Sequence, residues 1–274
     1  MIANKESFIE VERLREKSVP VNCLSGAGLK LFCPRVEDWC HTVISSYGGG
    51  MVHGDQLQFR LSVGEGCKLY LTSSGFTQVY KGRSSFEVSA EVGAGAVVLH
   101  HGLPLVPHAG SSFSQQTQWN LHPEAALVTV DWLLPGRVES GERFQFDELL
   151  TTLRIKRGEK LLLNDAFRAV PSEQTPLANS LFGRYEALLT INLMGAQVEP
   201  VARALSLFWN SDIGPVRATH APDRIVNVSP LPRGGYQLRA AALYRRDLLE
   251  VERSLFGEMR AAGLLDFDPL SRQT

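Results

Sequence analysis

The chain has 274 residues and a mass of 30.2 kDa. A folded chain of this size hides about 70% of its extended surface, so it can build a sizeable core without staples. Hydrophobic residues make up 44% and charged residues 21%, which excludes disorder, and a net charge of −1 excludes the basic excess of a nucleic-acid or anionic-membrane binder.

No apolar run approaches the roughly 18 residues of a membrane span. Residues 1–16 are mixed in charge and lack the apolar stretch of a signal peptide. These features predict a cytoplasmic protein. No linker divides it, so a single domain over residues 1–274 is expected. Cys23, Cys33, Cys40 and Cys67 match no CxxC spacing and read as free thiols, several of them buried. Cys40 and His41 are adjacent, and on a strand their side chains diverge.

Strands dominate the first two thirds. Leu57, Phe59, Leu61 and Val63 alternate with Gln58, Arg60 and Ser62. Phe86, Val88, Ala90 and Val92 do the same, and Phe113, Gln115, Thr117, Trp119 and Leu121 repeat it less cleanly. Period two means a strand with one buried face. Each run ends at a turn followed by a second apolar run. The pivots are Gly64, Gly93, Pro123 and Gly158. A recurring strand–turn–strand unit must stack on its neighbours to bury its apolar face. The expected fold class is therefore mainly β, a stacked, solenoid-like architecture, with a two-sheet sandwich as the competitor.

Residues 171–180 read as an exposed loop. Two helices follow in the C-terminal third, over 199–210 and 244–263. Pro200 suits a first helical turn, with Val201, Leu205 and Phe208 on one face. Leu248, Val251, Leu255, Met259 and Ala262 form the second stripe, with Glu252 and its charged neighbours mostly off it and Gly263 as the stop. Residues 213–243 between the helices read as strands again.

There is no phosphate-binding GxxxxGK[ST] loop, no GxSxG elbow and no HExxH. Ser25-Gly26-Ala27-Gly28 reads as a turn. His100 and His101 end a strand and point opposite ways; His100 and His108 are candidate metal contacts, with structural histidines as the alternative. His53 and Asp55 sit in a Gly-rich loop where turn chemistry is the simpler reading.

Gly49-Gly50-Met51-Val52-His53-Gly54-Asp55 resembles the Gly-Gly-φ-φ-x-Gly-Asp motif of the urease accessory protein UreD (UreH) family. Thr77-Gln78-Val79-Tyr80 is similar to that family's Thr-Lys-Val-Tyr stretch, with Gln78 in place of Lys. Leu103-Pro104-Leu105-Val106-Pro107-His108-Ala109 resembles its Pro-rich turn. Residues 130–137 followed by 139–144, which hold Asp131, Gly136, Arg137, Gly141 and Glu142, resemble its most characteristic block. Ser46-Tyr47 replaces a Pro-Pro pair, and Gln56 stands where a charged residue is common.

The resemblance implies a stacked β-fold with two helices and no enzymatic activity. It implies a scaffold that assembles with UreF and UreG on apo-urease subunits. Nickel then passes transiently toward the urease active site through a water-filled passage, with no tightly bound cofactor. Asp55 and Asp131 are the passage residues that carry over, Asp165 follows by a weaker alignment, and His53 lies beside them. The alternative for Asp131 is an ion pair with Arg137 or Arg143. Two enzyme readings compete: a carbohydrate-active β-solenoid using Asp131 and Glu142, and a cupin-type metal enzyme using His100, His108 and His122.

Overall fold

The computed structural model describes residues 6–26, 28–34, 38–173, 176, 182–211 and 222–272. A hairpin of β1 (Glu6–Leu14) and β2 (Lys17–Leu24) and a short β3 (Leu29–Phe32) precede a series of coils. The first coil is β4 (Cys40–Ser46), β5 (Gly50–Met51) and β6 (Gln56–Val63). The second is β7 (Lys68–Ser73), β8 (Thr77–Val79) and β9 (Gly82–Val92), and the third is β10 (Val97–His101), β11 (Leu105–Pro107) and β12 (Ser111–Leu121). β13 (Ala126–Leu133) and β14 (Glu148–Arg157) form a fourth without the short strand.

Corresponding strands stack in parallel, coil on coil: β4–β7–β10–β13, β5–β8–β11 and β6–β9–β12–β14. This is the expected solenoid-like arrangement. The turns stack too: Gly93 N–H donates to the Val63 carbonyl and His122 N–H to the Val92 carbonyl, both at 2.8 Å.

The Gly158 pivot departs from the expected recurrence. β14 and β15 (Lys160–Ala169) form an antiparallel hairpin in one sheet, whereas the three earlier turns carry the chain from one sheet to the other. Arg157 pairs directly with Lys160 across a two-residue turn, and such a connection reverses the chain within a sheet. The first sheet therefore runs β15–β14–β12–β9–β6–β1–β2. Three antiparallel strands, β16 (Ala187–Met194), β17 (Arg224–Pro230) and β18 (Tyr236–Ala242), extend the second, giving β17–β18–β16–β13–β10–β7–β4–β3.

The two sheets enclose one apolar core, including Phe59, Leu61, Leu69, Trp119 and Leu127. The second sheet is also buried on its outer face, where Leu99, Val128, Val130, Ile191 and Leu238 meet α1 (Glu199–Asn210) and α2 (Leu249–Ala261). Burial on both faces explains why β13 reads as a nearly unbroken apolar run.

Both helices lie where expected, with two changes of face. On α1 the buried residues are Val201, Ala202, Leu205 and Trp209, while Phe208 is 58% exposed. Spacing of four carries the stripe from Leu205 to Trp209, and the indole covers more of the sheet than the phenyl ring would. Ala262, just past the end of α2, is exposed, and Glu252 on α2 is buried at 1%. Glu252 tolerates burial because Trp132 Nε1–H (2.6 Å) and His101 Nε2 (3.0 Å) both bond its Oε1.

Asn210 closes α1 against the last strand of the second sheet. Its side-chain N–H donates to the Val228 carbonyl at 2.8 Å, and its Oδ1 accepts the Val228 N–H at 3.0 Å. Most of the expected 171–180 loop, Ala27 of the expected turn and residues 213–221 of the expected strand region lie outside the described residues.

Candidate functional site: a cavity between the sheets with two carboxylates

Period two sorts the second sheet's side chains. On β10, β13, β16 and β18 one set packs under the helices and the other faces the first sheet. Cross-strand register then aligns the inward residues in two rows. One row holds His100, Thr129, Asn192 and Gln237; the next holds Asp131, Thr190 and Arg239. His100, Asn192, Asp131, Thr190 and Arg239 of these rows line a cavity of about 910 Å³ that reaches the first sheet at Gln115, Thr151 and Asp165. A single water needs only about 10–15 Å³ of such space; the walls are mainly apolar, and Asp131, Asn192, Thr190 and Asp165 are among the polar groups that could hold it. Lining residues Gly75 and Phe76, and likewise Asn227 and Arg239, are also solvent-exposed, so the cavity opens to the surface.

Asp131 and Asp165 are both in the lining, one from each sheet. Asp165 Oδ1 pairs with Arg239 Nη2 at 2.8 Å, and its Oδ2 accepts from Gln237 Nε2 at 2.9 Å. Gln237 Nε2 also donates to Asn192 Oδ1 (3.0 Å), and Asn192 Nδ2 donates to Thr129 Oγ1 (3.0 Å). The Thr129 hydroxyl also bonds Asp131 and favours its ionised form. Burial outweighs it, the charge of Asp165 adds to burial, and the carboxyl is pushed up from 3.8 to about 6. Neither arginine proposed for Asp131 is available to it. Arg137 binds Glu142, and Arg143 binds Glu186 at 3.3 Å and the carbonyls of Gly183 and Tyr185.

His100 points into the same cavity and His101 away from it, toward α2. Burial, and then the neighbouring His101, push His100 down to about 4. A neutral imidazole therefore faces the cavity at pH 7.

Asp55 and His53 are outside the lining. Asp55 Oδ2 accepts the Val52 N–H at 2.9 Å and so closes its own turn. His53 Nδ1 accepts the Arg83 N–H at 3.1 Å from the next coil. Asp55→Ala should lower stability by about 1 kcal/mol through that turn bond. The check is the urea unfolding midpoint, and an unchanged midpoint would contradict this role.

The remaining motif residues hold coils together. A Cβ on Gly50 would lie 2.3 Å from the Gln78 carbonyl, and one on Gly136 2.5 Å from the Glu142 carbonyl. Only glycine lets these backbones approach so closely. Gly49, Gly54 and Gly141 occupy left-handed turn positions, and Gly49 also touches the cavity. Tyr80 packs edge-on against His108 at 5.0 Å. Gln78, at the position where the resembling stretch has Lys, bonds His108 Nε2 at 2.6 Å. Glu142 accepts from Arg137 Nε at 3.0 Å and from the Ala109 N–H at 3.2 Å, tying the 136–142 segment to the Pro-rich turn.

Neither enzyme constellation is assembled. Glu142 is held by Arg137 outside the cavity that contains Asp131. His108 is held by Gln78, and His122 Nδ1 accepts the Glu124 N–H in an exposed turn. Among the described residues, no three His, Cys, Asp or Glu side chains converge in a way that could hold a metal ion. The cysteines are free thiols, with Cys40 and Cys67 buried.

Thr129, Asn192, Gln237 and Arg239 complete the site, and none stands out in the sequence. Their one signal is a polar residue at every second position of otherwise apolar strands, which usually marks a solvent face.

Fold and site together define a β-solenoid-like protein with a mainly apolar cavity between its sheets that holds two carboxylates. A sequence model of the UreD urease accessory protein family matches residues 7–270, and the chain belongs to that family. Similar proteins include the urease accessory protein UreD of Anaeromyxobacter sp. (strain Fw109-5), 33% identical over 72% of this chain and 67% of the relative. UreD of Sorangium cellulosum is 32% identical over 95% of this chain and 81% of its own length. UreD of Cytophaga hutchinsonii is 31% identical over 69% and 68%. No helix among the described residues is long and apolar enough to cross a membrane.

Proposed function

We propose that this protein is a non-enzymatic scaffold of urease maturation in the cytoplasm. It assembles with UreF and UreG on apo-urease, and nickel crosses its cavity as cargo on the way to the urease active site. The observation that carries this reading is the cavity itself, with Asp131 and Asp165 on facing walls. A cargo ion must leave again. Carboxylate, amide and water oxygens hold a divalent nickel ion loosely, while a closed cage of imidazoles or thiolates would retain it. Each carboxylate lowers the cost of carrying the cation away from bulk water. Asp55 and His53 serve the same path indirectly, by fixing the turn whose Gly49 lines it. Exposed Phe76 (41%) and Ile225 (45%) at the cavity openings offer apolar rim to partner proteins.

The test is urease activation in cells carrying Asp131→Ala, Asp165→Ala or both. Pull-down should show complexes with UreF, UreG and urease at near wild-type levels. Nickel per urease active site should fall about tenfold or more, the scale of losing one charge contact in a partly buried site. Full activation by the double variant would remove the cavity from the mechanism.

A further inference from the structure

Arg239 is the one arginine or lysine in the cavity lining among the described residues, and it stands at an opening. It projects from β18 of the second sheet, and its partner Asp165 projects from β15 of the first. Their 2.8 Å ion pair therefore spans the gap between the two sheets. Arg239 is 62% exposed and Asp165 21%. A pair so open to water is weak and readily parted. Asp131 lies on the row of Arg239 with Thr190 between, two strands away. Neighbouring strands are about 4.8 Å apart, so the guanidinium and Asp131 are separated by roughly 10 Å of lining. The charged groups that line this space are thus Asp131, Asp165 and Arg239, with a neutral His100 beyond.

We infer that Arg239 is a displaceable counter-cation that gates the cavity: an entering divalent cation takes its place against Asp165 and is then handed to Asp131. This rests on the passage reading above and adds a selectivity element to it. A monovalent ion gains too little from Asp165 to displace a hydrogen-bonded guanidinium, whereas a divalent ion gains about twice as much. The returning Arg239 then competes for Asp165 and drives the ion onward. Gln237 keeps the carboxylate aimed while the exchange occurs, through its bond to the other oxygen.

The experiment titrates nickel(II) chloride into the purified full-length chain by calorimetry. The variants are Arg239→Gln, Arg239→Met, Arg239→Lys and Arg239→Gln with Asp165→Asn. Two neutral replacements are carried so that a folding failure in one leaves the comparison intact. Removing the guanidinium should tighten nickel binding about tenfold, since the ion no longer competes with a like charge at contact distance. Arg239→Lys should stay within about threefold of wild type, because a cation of similar reach remains. The double variant should lose the gain. Equal affinity in wild type and both neutral variants overturns the gate, as does weaker binding or an absence of measurable binding in all of them. The passage reading is judged separately, by nickel delivery in cells with Asp131→Ala and Asp165→Ala. If delivery falls there while Arg239→Gln leaves affinity unchanged, the gate fails and the passage stands. If delivery is unaffected, the passage fails first and the gate with it.

Discussion

Asp131→Asn should make the protein more stable at pH 8 while it lowers nickel delivery. The folded carboxyl is raised from 3.8 to about 6, chiefly by burial. The folded state therefore binds the proton more tightly than the unfolded chain does. Below about pH 4 both states are protonated and the residue costs nothing. As pH rises through 4 to 6 the unfolded chain ionises first, and folding stability falls. Above 6 the loss is complete. A carboxyl raised that far loses about 3 kcal/mol when dry, and water in the cavity reduces this to about 1–3 kcal/mol. Asn has no such titration. Unfolding free energies of variant and wild type from urea titration should agree near pH 3.5 and separate by that amount at pH 8, the variant being higher. A variant less stable at pH 8 would mean that Asp131 is a structural anchor. Residues that cost stability where they stand are often retained for function.

The opposite sign is expected at Glu252. Its Oε1 accepts from Trp132 Nε1 and His101 Nε2, while Oε2 has no partner among the described residues. With its proton on Nε2, His101 accepts through Nδ1 from the Tyr70 hydroxyl at 3.0 Å. Glu252 and His101 are at most 1% exposed, and Tyr70 and Trp132 only slightly more. One carboxylate on α2 thus locks the helix to β7, β10 and β13 together. Glu252→Ala removes the acceptor shared by Trp132 Nε1–H and His101 Nε2 and leaves a void. The cost should be about 3–5 kcal/mol, read from the chemical-denaturation midpoint. Glu252→Gln keeps an acceptor oxygen and should lose less than half as much. Equal losses in the two variants would show that volume, not hydrogen bonding, fixes α2.

Both residues show what a sequence reveals and what it hides. Leu57, Phe59, Leu61 and Val63 announce their strand because one face is core and the other water. The pivots Gly64, Gly93 and Pro123 announce stacking because each coil repeats the same crossing. Gly158 resembles these pivots in composition, yet its turn spans only two residues and folds β15 back beside β14. Glu252 reads as a solvent-side charge until His101 and Trp132, 151 and 120 residues away, supply its bonds. The cavity is hidden for a related reason. Thr129, Asp131, Asn192, Gln237 and Arg239 look like the wet face of ordinary half-buried strands. Their face instead looks onto the space between the two sheets. No pattern within one strand separates an outer surface from an inner one; that depends on where the opposing sheet stands. Asp131 is legible only through the motif block around it.

The Asn210 amide bears on a different matter, the behaviour of many copies together. The eight-strand main run of the second sheet ends on a row of backbone donors and acceptors, and β17 is the last described strand on that side. Such a margin invites a strand from another molecule to continue the ladder. Asn210 presents an N–H and a carbonyl oxygen to Val228 with the spacing a neighbouring strand would use, and it belongs to a helix that cannot extend the sheet further. The amide ends the ladder by imitating the strand it keeps out. On this margin Val228 has neither a free N–H nor a free carbonyl to offer a strand from another molecule.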